Sequence, residues 1–192
     1  MSTPKILAFS GSLRQGSFNQ RMVKVAAEGA RNAGAEVTVI SLRDFPLPFM
    51  DEDLEKESGL PENAKKLKDL FKSHHGVLLA SPEYNGSVSG VLKNAIDWVS
   101  RPLGDDEPLE AFGNKVWCIM SASPGGLGGI RGLIHLRALL GGIRVHVIPQ
   151  QHAMGGAGNL FDDSGNLTDA KQRETVQGLG KTIVQVCQKL NA

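Results

Sequence analysis

The residues best equipped for chemistry lie in three short polar stretches, each of which follows an apolar run. The first is Ser10-Gly11-Ser12-Leu13-Arg14-Gln15-Gly16-Ser17-Phe18-Asn19-Gln20. A glycine-bearing loop that opens a helix can aim several backbone N–H groups at one anion, and the helix dipole favours negative charge there. Ser10, Ser12, Ser17 and Asn19 add neutral donors and Arg14 adds one positive charge. That set suits a phosphate monoester. A capped helix start, with Ser17 or Asn19 as the N-cap, is the competing reading, and the density of donors favours the anion site. Gly11 and Gly16 have the spacing of a Walker A loop, but Ser17 and Phe18 stand where Lys and a hydroxyl would be needed. Nothing there would hold a γ-phosphate and Mg²⁺. The same glycines do not fit the Gly-x-Gly-x-x-Gly of a tight dinucleotide site.

The second stretch is Ser81-Pro82-Glu83-Tyr84-Asn85-Gly86-Ser87, followed by a helix with Lys93-Asn94-Ala95-Ile96-Asp97-Trp98. The third is Ser121-Ala122-Ser123-Pro124-Gly125-Gly126-Leu127-Gly128-Gly129. Both are polar, glycine-bearing turns that can bring main-chain N–H groups against a flat heterocycle. Taken singly, each has ordinary turn chemistry as its simplest explanation.

The elements that must position these stretches are legible in the apolar pattern. Five short runs, at Ile6–Phe9, Val37–Ile40, Val77–Ala80, Val116–Met120 and Val145–Ile148, are mostly continuous and rich in β-branched residues. Such runs suit strands covered on both faces, as in a parallel sheet. Helical faces alternate with them: Phe18 to Ala33, Ala64 to Phe71, Val88 to Val99, Ile130 to Leu140 and Val176 to Leu190. The fourth is apolar nearly all round, which suits burial against a partner chain. Strand and helix alternate five times, the mark of one doubly wound α/β domain spanning residues 1–192. In such a sheet ligands bind beyond the carboxyl ends of the strands, where the winding reverses. Gly34 is expected to close the first helix and Gly141-Gly142 the fourth. Asp44 to Gly59, Arg101 to Gly113 and Gly155 to Gly165 read as long loops. Loops of that length in a compact domain are more often functional than idle.

Composition narrows the classes. Of 192 residues, 41% are hydrophobic and 21% charged, with a formal net charge of +1. These values describe a globular chain without the basic footprint of a nucleic-acid binder. The Lys65-Lys66-Leu67-Lys68 stretch reads as a solvated helix face. Asp51, Glu52 and Asp53 read as a solvated turn rather than a Mg²⁺ site. His74-His75 falls at a helix end, where positive charge is welcome. No histidine has metal-ligand spacing with Cys or another His, so no metal site is expected. Cys118 and Cys187 read as reduced and structural. Met1 to Lys5 runs straight into a strand-like segment without the apolar core of a signal peptide. No apolar run reaches membrane-spanning length. The cytoplasm is the expected compartment, with no membrane insertion and no nucleic-acid partner.

Gly11-Ser12-Leu13-Arg14 with Ser17 and Asn19, Pro82-Glu83-Tyr84-Asn85-Gly86, and Lys93-Asn94-Ala95-Ile96-Asp97-Trp98 together resemble the NADPH-dependent FMN reductase family. Within it, the chain most resembles bacterial quinone and chromate reductases. The resemblance covers almost the whole chain. It implies a flavodoxin-like three-layer α/β sandwich, with a five-stranded parallel sheet in the order 2-1-3-4-5 and helices on both faces. It implies tightly bound, non-covalent FMN, with NADPH or NADH as transient co-substrate and quinones, flavin or chromate as acceptors. The FMN phosphate would sit on Ser10, Ser12, Arg14, Ser17, Asn19 and Gln20. The ring would lie along Pro82, Glu83, Tyr84, Asn85 and Gly86, with Ser121, Ser123, Pro124 and Gly125 at its other edge. A homodimer or homotetramer is expected, with the flavin near a subunit interface.

In such an enzyme the cofactor carries the hard chemistry and no side chain need be a nucleophile. Two half-reactions at one open flavin face predict ping-pong kinetics. Tyr84 is a candidate wall of the ring site; packing on its loop neighbours is the alternative. Arg101 is a candidate for steering anionic acceptors, against a plain surface arginine at a helix C-terminus. Arg131 raises the same question, with interface pairing as its other use. Two further functions compete. An electron carrier without NAD(P)H activity is usually strongly acidic, which 21 basic against 20 acidic residues does not match. A flavin-free or flavin-sensing module of the same fold would not need the full set of three loops.

Overall fold

A computed structural model describes residues 3–190. Strands β1 (Lys5–Ser10), β2 (Glu36–Val39), β3 (Gly76–Ala80), β4 (Val116–Ala122), β5 (His146–Val147) and β6 (His152–Met154) form one sheet. Its order is β2-β1-β3-β4-β5, all parallel, with β6 also paired to β4. This is the flavodoxin-like winding, and it reverses between β1 and β3. Six helices cover the sheet: α1 (Phe18–Asn32), α2 (Glu52–Ser58), α3 (Glu62–Ser73), α4 (Gly90–Ser100), α5 (Ile130–Gly142) and α6 (Ala170–Leu190).

The central strands β1, β3 and β4 are apolar because each face of the sheet has its own core. Successive strand residues point to opposite sides. Ile6, Ala8, Leu78, Ala80, Cys118 and Met120 pack under α1 and α6. Leu7, Phe9, Val77, Leu79, Trp117 and Ile119 pack under α3, α4 and α5. β1, β3 and β4 are thereby buried on both faces, and their carboxyl ends open together on one edge of the sheet. This is where the three polar stretches begin.

The fifth strand is shorter than its apolar run suggests. β5 pairs beside Val116 and Trp117, whereas β6 pairs beside Met120 to Ala122. The partner offset grows from 30 residues (Val116 to His146) to 32 (Met120 to His152), so Pro149 to Gln151 bulge out of one sheet position shared by β5 and β6. Pro149 has no N–H for a ladder bond, and Arg137 holds the bulge through Gln151 Oε1 at 2.8 Å and Val147 O at 3.2 Å.

Four other expectations need correction. The stretch from Asp44 to Gly59 is not all loop: α2 forms inside it, capped by the Asp51 side chain on Asp53 N–H at 2.9 Å. Lys68 does not lie on a solvated face. It is 2% exposed, pairs with Asp106 at 3.0 Å and donates to the carbonyl of Val99 at 3.3 Å. Gly141-Gly142 ends inside the last turn of α5, and the left-handed residue beyond it is Arg144, at φ 67°. His74 is buried rather than displayed as a cation. Burial holds its pKa below 6.5, and its ring bridges Leu70 O at 2.7 Å and Thr38 Oγ1 at 2.9 Å. No described helix is long and apolar enough to cross a membrane.

Candidate functional site

Each loop at the carboxyl edge of the sheet is tied to its neighbours by bonds that link distant parts of the chain. Gly11 N–H donates to Ala80 O at 2.9 Å, joining the loop after β1 to the end of β3. Ser89, the N-cap of α4, donates its hydroxyl to Gly11 O and accepts from Leu92 N–H. Asn19, in the first turn of α1, grips Ala122 from both sides. Its Nδ2 donates to Ala122 O and its Oδ1 accepts from Ala122 N–H, each at 2.9 Å. The three polar stretches therefore form one rigid rim.

The loop after β1 offers unpaired donors at the start of α1. Ser17 caps α1 by accepting from Gln20 N–H at 3.4 Å. The backbone N–H groups from Gln15 to Asn19 find no acceptor among the described residues. A helix start with so many free donors is a ready anion site. The Ser10 hydroxyl is buried with no partner. The Arg14 guanidinium lies 5.2 Å from the centroid of the Phe18 ring and forms no ion pair among the described residues. The cap reading holds, since Ser17 is the N-cap of α1, and the backbone donors beside it are unpaired among the described residues. A dianionic phosphate fits these residues on charge and on donor count.

After β3, Tyr84 to Ser87 closes as a two-residue hairpin, with Tyr84 N–H to Ser87 O at 2.9 Å and Ser87 N–H to Tyr84 O at 3.0 Å. Asn85 and Gly86 both have positive φ, at 51° and 78°. This is the geometry that an Asn-Gly pair favours. The signal was present in the sequence as a turn dipeptide and predicts a rigid tip rather than a loose loop. The tip faces the glycine-rich stretch after β4 across an open cavity of about 570 Å³, lined by Glu83, Asn85, Gly86, Ser123, Gly125 to Gly129 and Arg131. Ser123 anchors its own loop, accepting from Gly125 N–H on Oγ at 3.2 Å. The Ser121 hydroxyl is buried without a partner, and Pro82 is buried while Pro124 and Gly125 are exposed. Tyr84 is 55% exposed, so packing on its loop neighbours does not account for it. A flat ring system fits the open, glycine-walled space between the two loops.

Four candidates have different duties from those their types suggested. The Asn19 amide holds the rim together, spending one N–H and its carbonyl oxygen on Ala122. Gln20 lines, with Gly16 and Ser17 of the same loop, a cleft of about 210 Å³ that also borders Arg21, Lys24 and Asp163 to Gly165. The Glu83 carboxylate is engaged with α5: it accepts from Arg131 Nε at 2.8 Å and from Gly132 N–H at 3.0 Å. These bonds, the one from Gly132 above all, lower its pKa. Arg101 is not a free steering charge in this chain. Its Nε and Nη2 each lie 2.8 Å from a Glu55 oxygen, docking α2 against the end of α4.

Sequence reasoning passed over Asn94 and Trp98 as positioning groups. They lie one helical turn apart on α4 and both donate to Pro48 O at 2.8 Å, while Asn94 Oδ1 accepts from Met50 N–H at 2.7 Å. They bend residues 44–51 over α4. Beneath this strap is a second cavity of about 320 Å³, bordered by Leu13, Phe45, Leu47 and Val91. The i, i+4 spacing of the pair was visible, but not its target about fifty positions away.

The family model for NADPH-dependent FMN reductase matches residues 4–159. An NAD(P)H-dependent FMN reductase of Pseudomonas aeruginosa is 37% identical over 174 residues, covering 90% of this chain and 89% of that protein. A quinone reductase of Escherichia coli is 38% identical over 153 residues, covering 79% and 77%. Among solved structures, a flavoenzyme NAD(P)H:(acceptor) oxidoreductase of Paracoccus denitrificans superposes with a TM-score of 0.79 at 28% identity, covering 97% of this chain and 98% of that one. The donor-rich loop after β1 and the glycine-walled cavity beside it thus sit in a chain that belongs to the NADPH-dependent FMN reductase family, an oxidoreductase with FMN as cofactor and NAD(P)H as co-substrate.

Proposed function

We propose that this chain reduces quinones with electrons from NAD(P)H, and oxidised metal anions such as chromate by the same route, in a ping-pong cycle. The observation that carries the reading is the rigid rim of three loops beside an open cavity of about 570 Å³. FMN bound there would supply the redox chemistry, an exchange of two electrons with their protons between nicotinamide and quinone. Ser12, Arg14, Ser17 and the free N–H groups from Gln15 to Asn19 hold the phosphate, with the Ser10 hydroxyl behind them. The Asn85–Gly86 tip and Ser121, Ser123, Pro124 and Gly125 border the ring, and backbone N–H groups of the tip steady charge that develops at its edge. Tyr84, exposed beside the tip, forms part of the wall against which nicotinamide and acceptor lie in turn. The cavity has no nucleophile and needs none.

A quinone as acceptor is supported by the quinone reductase likeness and by an open ring space, which asks only for a flat molecule. Chromate rests on the same openness. We further propose a homodimer or homotetramer, supported by Ile134, which stands 60% exposed on the outer face of α5. The cytoplasm is the proposed compartment, where Cys118 and Cys187, both free and buried, stay reduced.

Steady-state kinetics of the FMN-loaded protein test the reading. Quinones, free FMN and chromate are compared as acceptors with NADPH and NADH. Parallel double-reciprocal lines with a quinone are expected. Intersecting lines would replace the ping-pong cycle with a ternary complex, and turnover of free FMN alone would remove the quinone assignment.

A further inference from the structure

Helix α5 begins without a cap of its own. Its N-cap residue is Gly129, at φ 90°, and no side chain of the helix or of the loop before it bonds the first turn. An α-helix leaves its first N–H groups unsatisfied, and a carboxylate there gains both hydrogen bonds and the helix dipole. Glu83 supplies that carboxylate from across the cavity, 46 positions earlier in the chain. One of its oxygens accepts from Gly132 N–H at 3.0 Å and the other from Arg131 Nε at 2.8 Å. Its side chain is 8% exposed. The fit is close on every side. A Cβ on Gly132 would lie 3.2 Å from Glu83 Cβ, and one on Gly129 would lie 2.0 Å from the Ser121 hydroxyl and 3.5 Å from Glu83 Cβ. A second tie runs parallel, from His135 Nδ1 on α5 to Ser87 Oγ at 3.2 Å. The hairpin that carries Asn85 and Gly86 is thus held between Glu83 and Ser87, both fastened to the first turns of α5.

We infer that Glu83 is a positioning residue that caps α5 in trans and so fixes the distance between the Asn85–Gly86 tip and the glycine-rich wall after β4. The inference rests on the FMN reading of the cavity. Glu83 lines the cavity, but its carboxylate is committed to α5, so it acts by setting the width of the slot. It also fills the N-terminus of α5 with an internal anion, so this helix start, unlike that of α1, offers no seat to a ligand's phosphate. Arg131 is held in place by the same carboxylate, which leaves its guanidinium half-neutralised at the cavity mouth.

The test uses apo-protein titrated with FMN, followed by quenching of flavin fluorescence, with the visible spectrum of the bound flavin and the melting temperature as companion readings. Glu83→Ala is expected to weaken FMN binding about tenfold, the scale of a lost charged cap, and to blur the fine structure of the bound flavin band. Glu83→Gln, which keeps an acceptor for Gly132 N–H, is expected to restore most of the affinity. Arg131→Ala, which keeps the Gly132 bond, is expected to lose about threefold. Ile183→Ala, in the core under α6, serves as a matched destabilised control and is expected to melt earlier while binding FMN within about twofold of the wild type. Wild-type affinity in Glu83→Ala would overturn the inference. So would a loss no greater than that of the control at equal melting temperature. If Glu83→Ala does not fold, full affinity in both Glu83→Gln and Arg131→Ala, with an unchanged flavin spectrum, would overturn it. Failure of the wild-type protein to bind FMN would instead bring down the cofactor reading and the inference with it.

Discussion

Arg14 and Asn19 show how two polar residues five positions apart, one in the loop after β1 and one in the first turn of α1, acquire different duties. Arg14 has no carboxylate partner among the described residues and stands beside a row of free N–H groups, so its charge is available to an anion. Arg14→Ala is expected to weaken FMN binding by one to two orders of magnitude, about the size of a lost charged contact, with little change in melting temperature. A fluorescence titration checks this, and unchanged affinity would move the phosphate elsewhere. Asn19→Ala should do the reverse first: it leaves Ala122 N–H and O unpaired in a buried place, lowers stability by about 1–3 kcal/mol, and loosens FMN through the rim. Gly86 is a third case. At φ 78° it holds a conformation that side chains with a branched Cβ avoid. Gly86→Val is expected to cost about 1–3 kcal/mol of stability and to distort the tip, whereas Gly86→Asn, which tolerates that region, should be milder. Equal melting temperatures for the two variants would refute the turn geometry. The sequence announced the donors of the first loop and the Asn-Gly dipeptide because those are local signals. It could not announce that Glu83 belongs to α5 or that Asn19 belongs to β4, since both pairings depend on tertiary approach across 48 and 103 positions.

Most strand and helix positions were legible from apolar pattern alone, because the central strands of this sheet are covered on both faces and most helices on one. The exceptions have physical causes. α2 has no buried residue, so it shows no apolar stripe; its cap at Asp51 and the Arg101–Glu55 pair hold it instead. The break between β5 and β6 follows from Pro149. Lys68 carries a charged side chain into the core, where Asp106 and backbone carbonyls receive it, and no spacing rule marks that. Lys72 joins the same carboxylate at 2.7 Å. Hydrogen bonds from Lys72 and then Lys68 lower the Asp106 pKa from 3.8 to about 2. A carboxyl whose folded pKa lies below its unfolded value adds stability that is complete above pH 3.8 and vanishes as pH falls toward 2. His74 acts in a higher window. Burial lowers its pKa from 6.5, so protonation opposes the fold, and stability is lost as pH drops below 6.5 through the folded value. Melting curves across this range should therefore decline in two stages. His74→Gln should remove the upper stage and Asp106→Asn the lower one, and a decline identical to wild type in either variant would contradict the assignment. Lys68→Ala should destabilise by about 1–3 kcal/mol, since Asp106 loses one of two lysine partners while Lys72 stays on it.

At the scale of the whole molecule, the parallel sheet gathers three loops at one edge, and everything proposed for the chain depends on that gathering. The outer surface adds apolar residues that the monomer leaves uncovered: Phe49 is 85% exposed, and Ile134 and Leu127 are each 60% exposed. Light scattering should give a mass that is an even multiple of the chain, and Ile134→Glu should shift it toward smaller species; a monomer in both proteins would remove the oligomer from the account. The apolar outer face of α5 was readable from sequence, but which residues of that face stay open became visible only once α5 was packed on β4. The most direct measurement is a crystal structure grown with excess FMN. The account predicts one FMN per chain, its phosphate against Ser12, Arg14 and the N–H groups from Gln15 to Asn19, and its ring between the Asn85–Gly86 tip and the Ser121–Gly125 stretch. A flavin seated elsewhere, or a crevice closed by the chain's own side chains under those conditions, would contradict it.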